Sequence, residues 1–225
     1  MQKTGLLLTV AVVIAVGTSC IVSDQMNTLT IHPDGSADWS KFRSNIRSTE
    51  EGEKGAAELQ RFVAEFEARR DSECVRIREA GGEILAACWV QRQEPYATFV
   101  TAKLPGVESL QAFLTRKNDA GEAIVHARFV KDGQRRRLTL KIRVPKEHLD
   151  AVTRKPTRDE RRQDKADSIS NTRIAVTKGR ITSARGFAVA GDKRSALVDL
   201  SSIRELVREG EGQTQLFLEW KLADI

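Results

Sequence analysis

Three turn signatures, each set between runs of alternating apolar and polar residues, constrain the fold of this chain more than any other feature. Pro33-Asp34-Gly35 separates residues 28–32 from 36–42, Ala80-Gly81-Gly82 separates 74–79 from 83–90, and Asp132-Gly133 separates 123–130 from 135–144. Glycine in a short polar turn supplies the left-handed backbone that a tight hairpin needs, so each pattern predicts a pair of antiparallel strands. Each register can be tested on paper, because side chains alternate with period two and the apolar set must share a face. A loop over Pro33, Asp34 and Gly35 places Ile31 opposite Ala37 and Leu29 opposite Trp39. The same kind of loop over 80–82 places Val75 opposite Ala87, Ile77 opposite Leu85, and Cys74 directly opposite Cys88. A two-residue Asp132-Gly133 turn sets Ala127 against Leu138 and Val125 against Leu140, which gathers Arg128, Arg137, Lys141 and Arg143 on the other face beside Arg135.

Helical spacing is confined to shorter stretches. Ser48-Thr49-Glu50-Glu51 fits a capping box, and Leu59, Phe62, Val63 and Phe66 follow at i, i+3, i+4 and i+7, which predicts an amphipathic helix over 49–70. Val107, Leu110, Phe113 and Leu114 mark a short second helix, and Ser202 with Glu205 marks a third. Further strands are expected at 97–104, 172–177, 180–190, 196–200 and 213–221. Strands and helices do not alternate regularly, so the expected class is α+β: a mainly antiparallel sheet flanked by one long amphipathic helix and one or two short ones. We expect a single domain over 27–225, interrupted by an exposed charged linker at 146–171.

The first twenty residues carry an address. A basic Lys3, an apolar run from Gly5 to Val16, and Gly17-Thr18-Ser19 before Cys20 have the form of a secretory signal peptide, too short to span a bilayer comfortably. The tripeptide before Cys20 resembles the lipobox of bacterial lipoproteins, which implies cleavage after residue 19 and acylation of Cys20. Residues 20–26 then read as the lipidated cysteine and a short tether, and the N-terminal lipid is the expected membrane attachment. Ile21 follows Cys20 where an Asp would retain a Gram-negative lipoprotein at the inner membrane, so the periplasmic face of the outer membrane is the expected location in such a cell. Export to an oxidising compartment leaves Cys74 and Cys88 as an even pair, and with the predicted register this leads us to expect a disulfide between them.

Charge and motif content narrow the function. The formal net charge is +6, with 37 basic and 31 acidic residues interspersed, which does not give a nucleic-acid footprint in an exported protein. Nucleophile elbows, phosphate loops and paired metal-binding histidines are missing, and His32, His126 and His148 stand in unrelated segments. No catalytic residue, metal site or cofactor is expected. The basic residues Arg128, Arg137, Lys141 and Arg143 would suit anionic lipid headgroups or a wall polymer. The leading expectation is a lipid-anchored, non-enzymatic envelope protein that binds a lipid, a wall component or another envelope protein. The alternatives are a periplasmic enzyme acting on glycan or lipid through dispersed carboxylates, and a structural or assembly lipoprotein.

Cys20, then Leu29-Thr-Ile-His-Pro-Asp-Gly-Ser-Ala37, Lys178-Gly-Arg-Ile-Thr-Ser-Ala-Arg-Gly-Phe187 and Phe217-Leu-Glu-Trp220, occur in an order that resembles bacterial lipoproteins of the LppM-like kind. The resemblance implies a helix-flanked antiparallel sheet with lipid binding in a cavity, and it implies no catalytic residues.

Overall fold

The computed structural model describes residues 21–118, 121–145, 149 and 169–223. The first twenty residues, read as a signal peptide ending at Cys20, and His148 with most of the charged stretch 146–171 lie outside the described residues. The chain divides into two compact units, one within Gly17–Phe113 and one from Leu114 onward.

The first unit contains β1 (Ile21–Ile31), β2 (Ala37–Ser48), α1 (Gly52–Glu67), α2 (Ser72–Glu79), β3 (Glu83–Gln91), β4 (Tyr96–Leu104) and α3 (Val107–Leu114). Its strands are antiparallel in the order β1-β2-β4-β3. The first hairpin has the expected register, with Leu29 opposite Trp39 and Ile31 opposite Ala37, and Gly35 closes the loop at φ 90°. Both strands run further than their turn-proximal pattern shows. Residues 21–26, read as a tether, are the first half of β1 and pair with β2 as far as Ile21 opposite Ser48.

The second hairpin does not exist, and its first arm is α2. Asp71 caps that helix by accepting the backbone N–H groups of Glu73 (3.1 Å) and Cys74 (3.4 Å), leaving 72–79 free to turn rather than extend. At the other end Gly81, at φ 72°, and Gly82 donate to the carbonyls of Arg78 and Ile77, so Ala80-Gly81-Gly82 is a helix C-cap and not a strand turn. Burial follows the helical period, with Cys74 and Ile77 inside and Val75 exposed. Strand β3 pairs instead with β4, where Cys88 lies opposite Phe99 and Trp89 opposite Thr98.

The expected disulfide is therefore overturned, and both cysteines are free thiols. Cys74 is buried beneath α2, on the sheet face that carries Trp39 and Lys41, whereas Cys88 alternates to the opposite, exposed face. A sheet stands between the two sulfurs. Helix α1 also starts later than its capping box predicts. Ser48 is still in β2, the helix begins at Gly52, and Glu51 stands at the N-cap without a side-chain hydrogen bond. Phe62 and Phe66 of α1 pack on Trp89 with ring centroids 6.3 and 5.0 Å away, and Phe113 of α3 meets Trp39 edge-on at 5.3 Å.

The second unit contains β5 (Arg116–Lys117), β6 (Ala123–Asp132), β7 (Arg135–Arg143), β8 (Ile169–Val176), β9 (Arg180–Arg185), β10 (Phe187–Val189), β11 (Ser195–Asp199), α4 (Leu200–Glu209) and β12 (Gln213–Lys221). Five strands form an antiparallel sheet in the order β5-β6-β7-β12-β9, and β10, β11 and β8 pair in sequence beside one another. The β6–β7 turn is tightened around Gly133-Gln134, so Ala127 faces Leu140 and Phe129 faces Leu138. The expected register is thus off by two residues. A shift of two conserves the face of every side chain, so the predicted division into an apolar and a basic face stands. Leu138, Ile142, Leu216, Leu218 and Trp220 make the buried face, and α4 packs against β12 with Ile203 and Val207 buried. The mixed α+β class with antiparallel sheets matches the expectation.

Candidate functional site

The face opposite this core is a field of positive charge. The four residues singled out in the sequence, Arg128, Arg137, Lys141 and Arg143, all lie on it, with Arg135 at the hairpin end of the same row. Neighbouring strands extend it in a way that the hairpin alone did not reveal. β12 contributes Lys221 opposite Arg135, and β9 contributes Arg185 opposite Phe217 and Arg180 opposite Lys221. The acidic residues on this face are Asp132 and Glu219, so basic groups outnumber them by four to one. Of the described ion pairs, one reaches the face, Arg137 to Glu219 at 3.8 Å, too long for a hydrogen bond and partly exposed. The Arg137 guanidinium also lies 4.4 Å over the Phe217 ring, which holds its plane down against the sheet. Strand spacing sets the charges roughly 5 Å apart across the sheet and about 7 Å apart along each strand. His126 belongs to the same face, whereas His32 bonds Asp38 at 2.9 Å in the first unit.

A second cluster, which the sequence reading missed, lies under α2. Lys41 and Arg43 project from β2 toward Glu73 and Arg76 of that helix. The Lys41 ammonium reaches Glu73 Oε1 at 2.9 Å, Arg43 approaches the same oxygen at 3.8 Å, and Arg76 donates to Oε2 at 2.6 Å. Burial pushes Lys41 down, Glu73 partly restores it, and Arg43 lowers it again, for a net value of about 8. Burial alone would raise Glu73, but Arg76, Lys41 and Arg43 outweigh it and hold the carboxyl at about 2. Such a carboxylate keeps its charge and does not serve as a general acid near neutrality. Burial, with Asp71 alongside, pushes the Cys74 thiol up to about 12, which makes it a poor nucleophile.

Among the described residues, no group of three or more His, Cys, Asp or Glu side chains could hold a metal ion, and no helix is long and apolar enough to cross a membrane. A shallow groove of about 340 Å³ runs along α1, lined by Leu59, Val63 and Tyr96 among others.

No family model matches the chain, and no curated protein matches it. Among solved structures it is similar to the NMR structure of the folded domain of LppM from Mycobacterium tuberculosis. That likeness covers 93% of this chain and 95% of the other, at 9% sequence identity and a TM-score of 0.41, a weak relationship of fold.

Proposed function

We propose that the protein is a lipid-anchored, non-enzymatic module of the cell envelope that lays its basic sheet face on an anionic surface formed by lipid headgroups. The observation that carries this reading is the array of cations spread over one sheet face. A pocket for one small ligand would be concave, whereas a plane of charges at 5 to 7 Å intervals, on the order set by sheet geometry, suits a plane of anions. Each such residue near an anionic leaflet contributes about 1 kcal/mol. The signal sequence and Cys20 supply the second attachment, and stable membrane association takes two such signals. β1 begins at Ile21, one residue after Cys20, so an acylated cysteine holds the fold at the bilayer with almost no slack. Ile21 favours the outer membrane in a cell that has two.

Vesicle sedimentation tests the reading with a Cys20→Ser chain produced without residues 1–19, in which neither the lipid nor the apolar run 5–16 can contribute. Binding is expected to vesicles rich in anionic lipid, to be absent with zwitterionic vesicles, and to weaken steeply as salt rises. The combined Arg137→Gln, Lys141→Gln and Arg143→Gln variant should lose it. Equal binding to both vesicle types, or an unaffected triple variant, refutes the surface. Mass spectrometry of the mature N-terminus tests the anchor separately, and an unmodified terminus removes that half.

A further inference from the structure

We propose that Lys41, Arg43 and Arg76, gathered around Glu73 on the helix-covered face of the first sheet, form a binding site for one small oxyanion, a phosphate or a carboxylate group. Three cations lie within 4 Å of a single carboxylate, a surplus of two positive charges on side chains that are only 7% (Lys41), 15% (Arg43) and 25% (Arg76) exposed. Each Glu73 oxygen already accepts a hydrogen bond, Oε1 from Lys41 and Oε2 from Arg76. Arg43 has no described acceptor closer than 3.8 Å, and the buried Nε of Arg76 has no hydrogen-bond partner. A buried guanidinium with an unused donor is costly unless an acceptor meets it. Asp71 does not fill that role: its Oδ1 accepts from the α2 backbone, its buried Oδ2 has no described hydrogen-bond partner, and no described ion pair joins it to the cluster.

The geometry is also preorganised for an anion. Phe113 covers the Arg76 guanidinium at 4.2 Å and Trp39 lies 5.9 Å from it, so aromatic rings occupy its face while its donors point along the edge. Gln25 pairs across from Arg43 and Asn27 from Lys41, so the neighbouring strand adds amides to the same face. A phosphate dianion brings the cluster to neutrality and a carboxylate leaves one charge over, so phosphate is the preferred ligand. This site is in the first unit and does not depend on the basic sheet of the second.

Thermal denaturation of the full chain tests the site, with chloride replaced by inorganic phosphate or acetate at pH 7 and constant ionic strength. Phosphate at about ten times its dissociation constant should raise the midpoint by about 3–6 °C, and acetate by less. Arg43→Gln should shift the half-effect concentration about tenfold or more upward, and Lys41→Met should weaken it as an independent variant. The Arg137→Gln, Lys141→Gln, Arg143→Gln chain should keep the full response. No advantage of either oxyanion over chloride overturns the proposal. So does a response that survives Arg43→Gln and Lys41→Met but disappears in the sheet variant, since the phosphate would then be on the basic face.

Discussion

Removing Glu73 and removing Lys41 should have opposite consequences, although the two are partners in one ion pair. Holding Lys41 ionised at pH 7, when its value has fallen from 10.5 to about 8, is disfavoured by about 3 kcal/mol relative to water. Glu73, lowered from 4.5 to about 2, has its ionised form favoured by a similar amount, about 3 kcal/mol. Glu73→Gln therefore forfeits that stabilisation and leaves three cations facing one another, a loss expected at about 3–5 kcal/mol. Lys41→Met relieves that net cost of about 3 kcal/mol, which already contains the attraction and hydrogen bond to Glu73. Glu73 keeps Arg76, so the Lys41→Met chain should gain stability, by up to about 3 kcal/mol. Urea unfolding at pH 7, followed by circular dichroism, reads both variants. A Lys41→Met chain destabilised as much as Glu73→Gln would refute the idea that the cations compete for one carboxylate.

The same pair gives the stability a signature in pH. The unfolded chain protonates Glu73 first, so its contribution is complete above pH 4.5 and is lost as pH falls from 4.5 toward 2; the urea midpoint should drop there, and drop less in Glu73→Gln. The folded chain releases the Lys41 proton first, so stability from this group rises between pH 8 and 10.5, a rise that Lys41→Met should lack. In the Cys20→Ser chain, a thiol reagent should modify Cys88 in the folded state and Cys74 only on unfolding, and peptide mapping that finds the two bonded would contradict the structure. Asp71→Ala removes the α2 cap and should cost about 1 kcal/mol in urea titrations, with an unchanged midpoint counting against the cap. Gly179, at φ 115°, stands where a Cβ would collide with the Lys221 carbonyl, so Gly179→Ala should lower stability by about 2 kcal/mol or more.

What the sequence revealed depended on whether a local pattern had one structural solution. Pro33-Asp34-Gly35 and the alternation around it fit only one register that keeps Leu29, Ile31 and Trp39 together, and that register is the one observed. β12 coincides with its predicted bounds because Leu216, Leu218 and Trp220 alternate without ambiguity. The stretch from Cys74 to Gly82 had two solutions. Val75 and Ile77 read as strand alternation, while Cys74 and Ile77 read equally as one helical face, and Gly81-Gly82 serves a hairpin or a C-cap. The decisive group was Asp71, whose side chain caps the helix from just outside the stretch that was read. The Lys41 cluster was hidden for a different reason. Lys41 occupies an inward position of β2 where a local pattern expects an apolar residue, and only the helix above supplies Glu73 to receive it. The basic sheet was half visible, since β6 and β7 are adjacent in sequence whereas Arg185 and Lys221 arrive on strands that pair from further along the chain.

β12, the last strand among the described residues, lies between β7 and β9 in its sheet. During synthesis this places a delay in the second unit. Until Gln213–Lys221 emerge, β5, β6 and β7 have no neighbour on one side, β9 stands apart from them, and the apolar side of Leu138 and Ile142 stays uncovered. The pairings among β1, β2, β4 and β3 of the first unit join strands close in sequence and can form early. The second depends on pairings distant in sequence, which form slowly. In the envelope module proposed above that order would have a use: the C-terminal half would stay threadable while it crosses a membrane and close only on the far side. A cut or premature stop ahead of Gln213 would accordingly dismantle the basic plane as a whole rather than trim its edge.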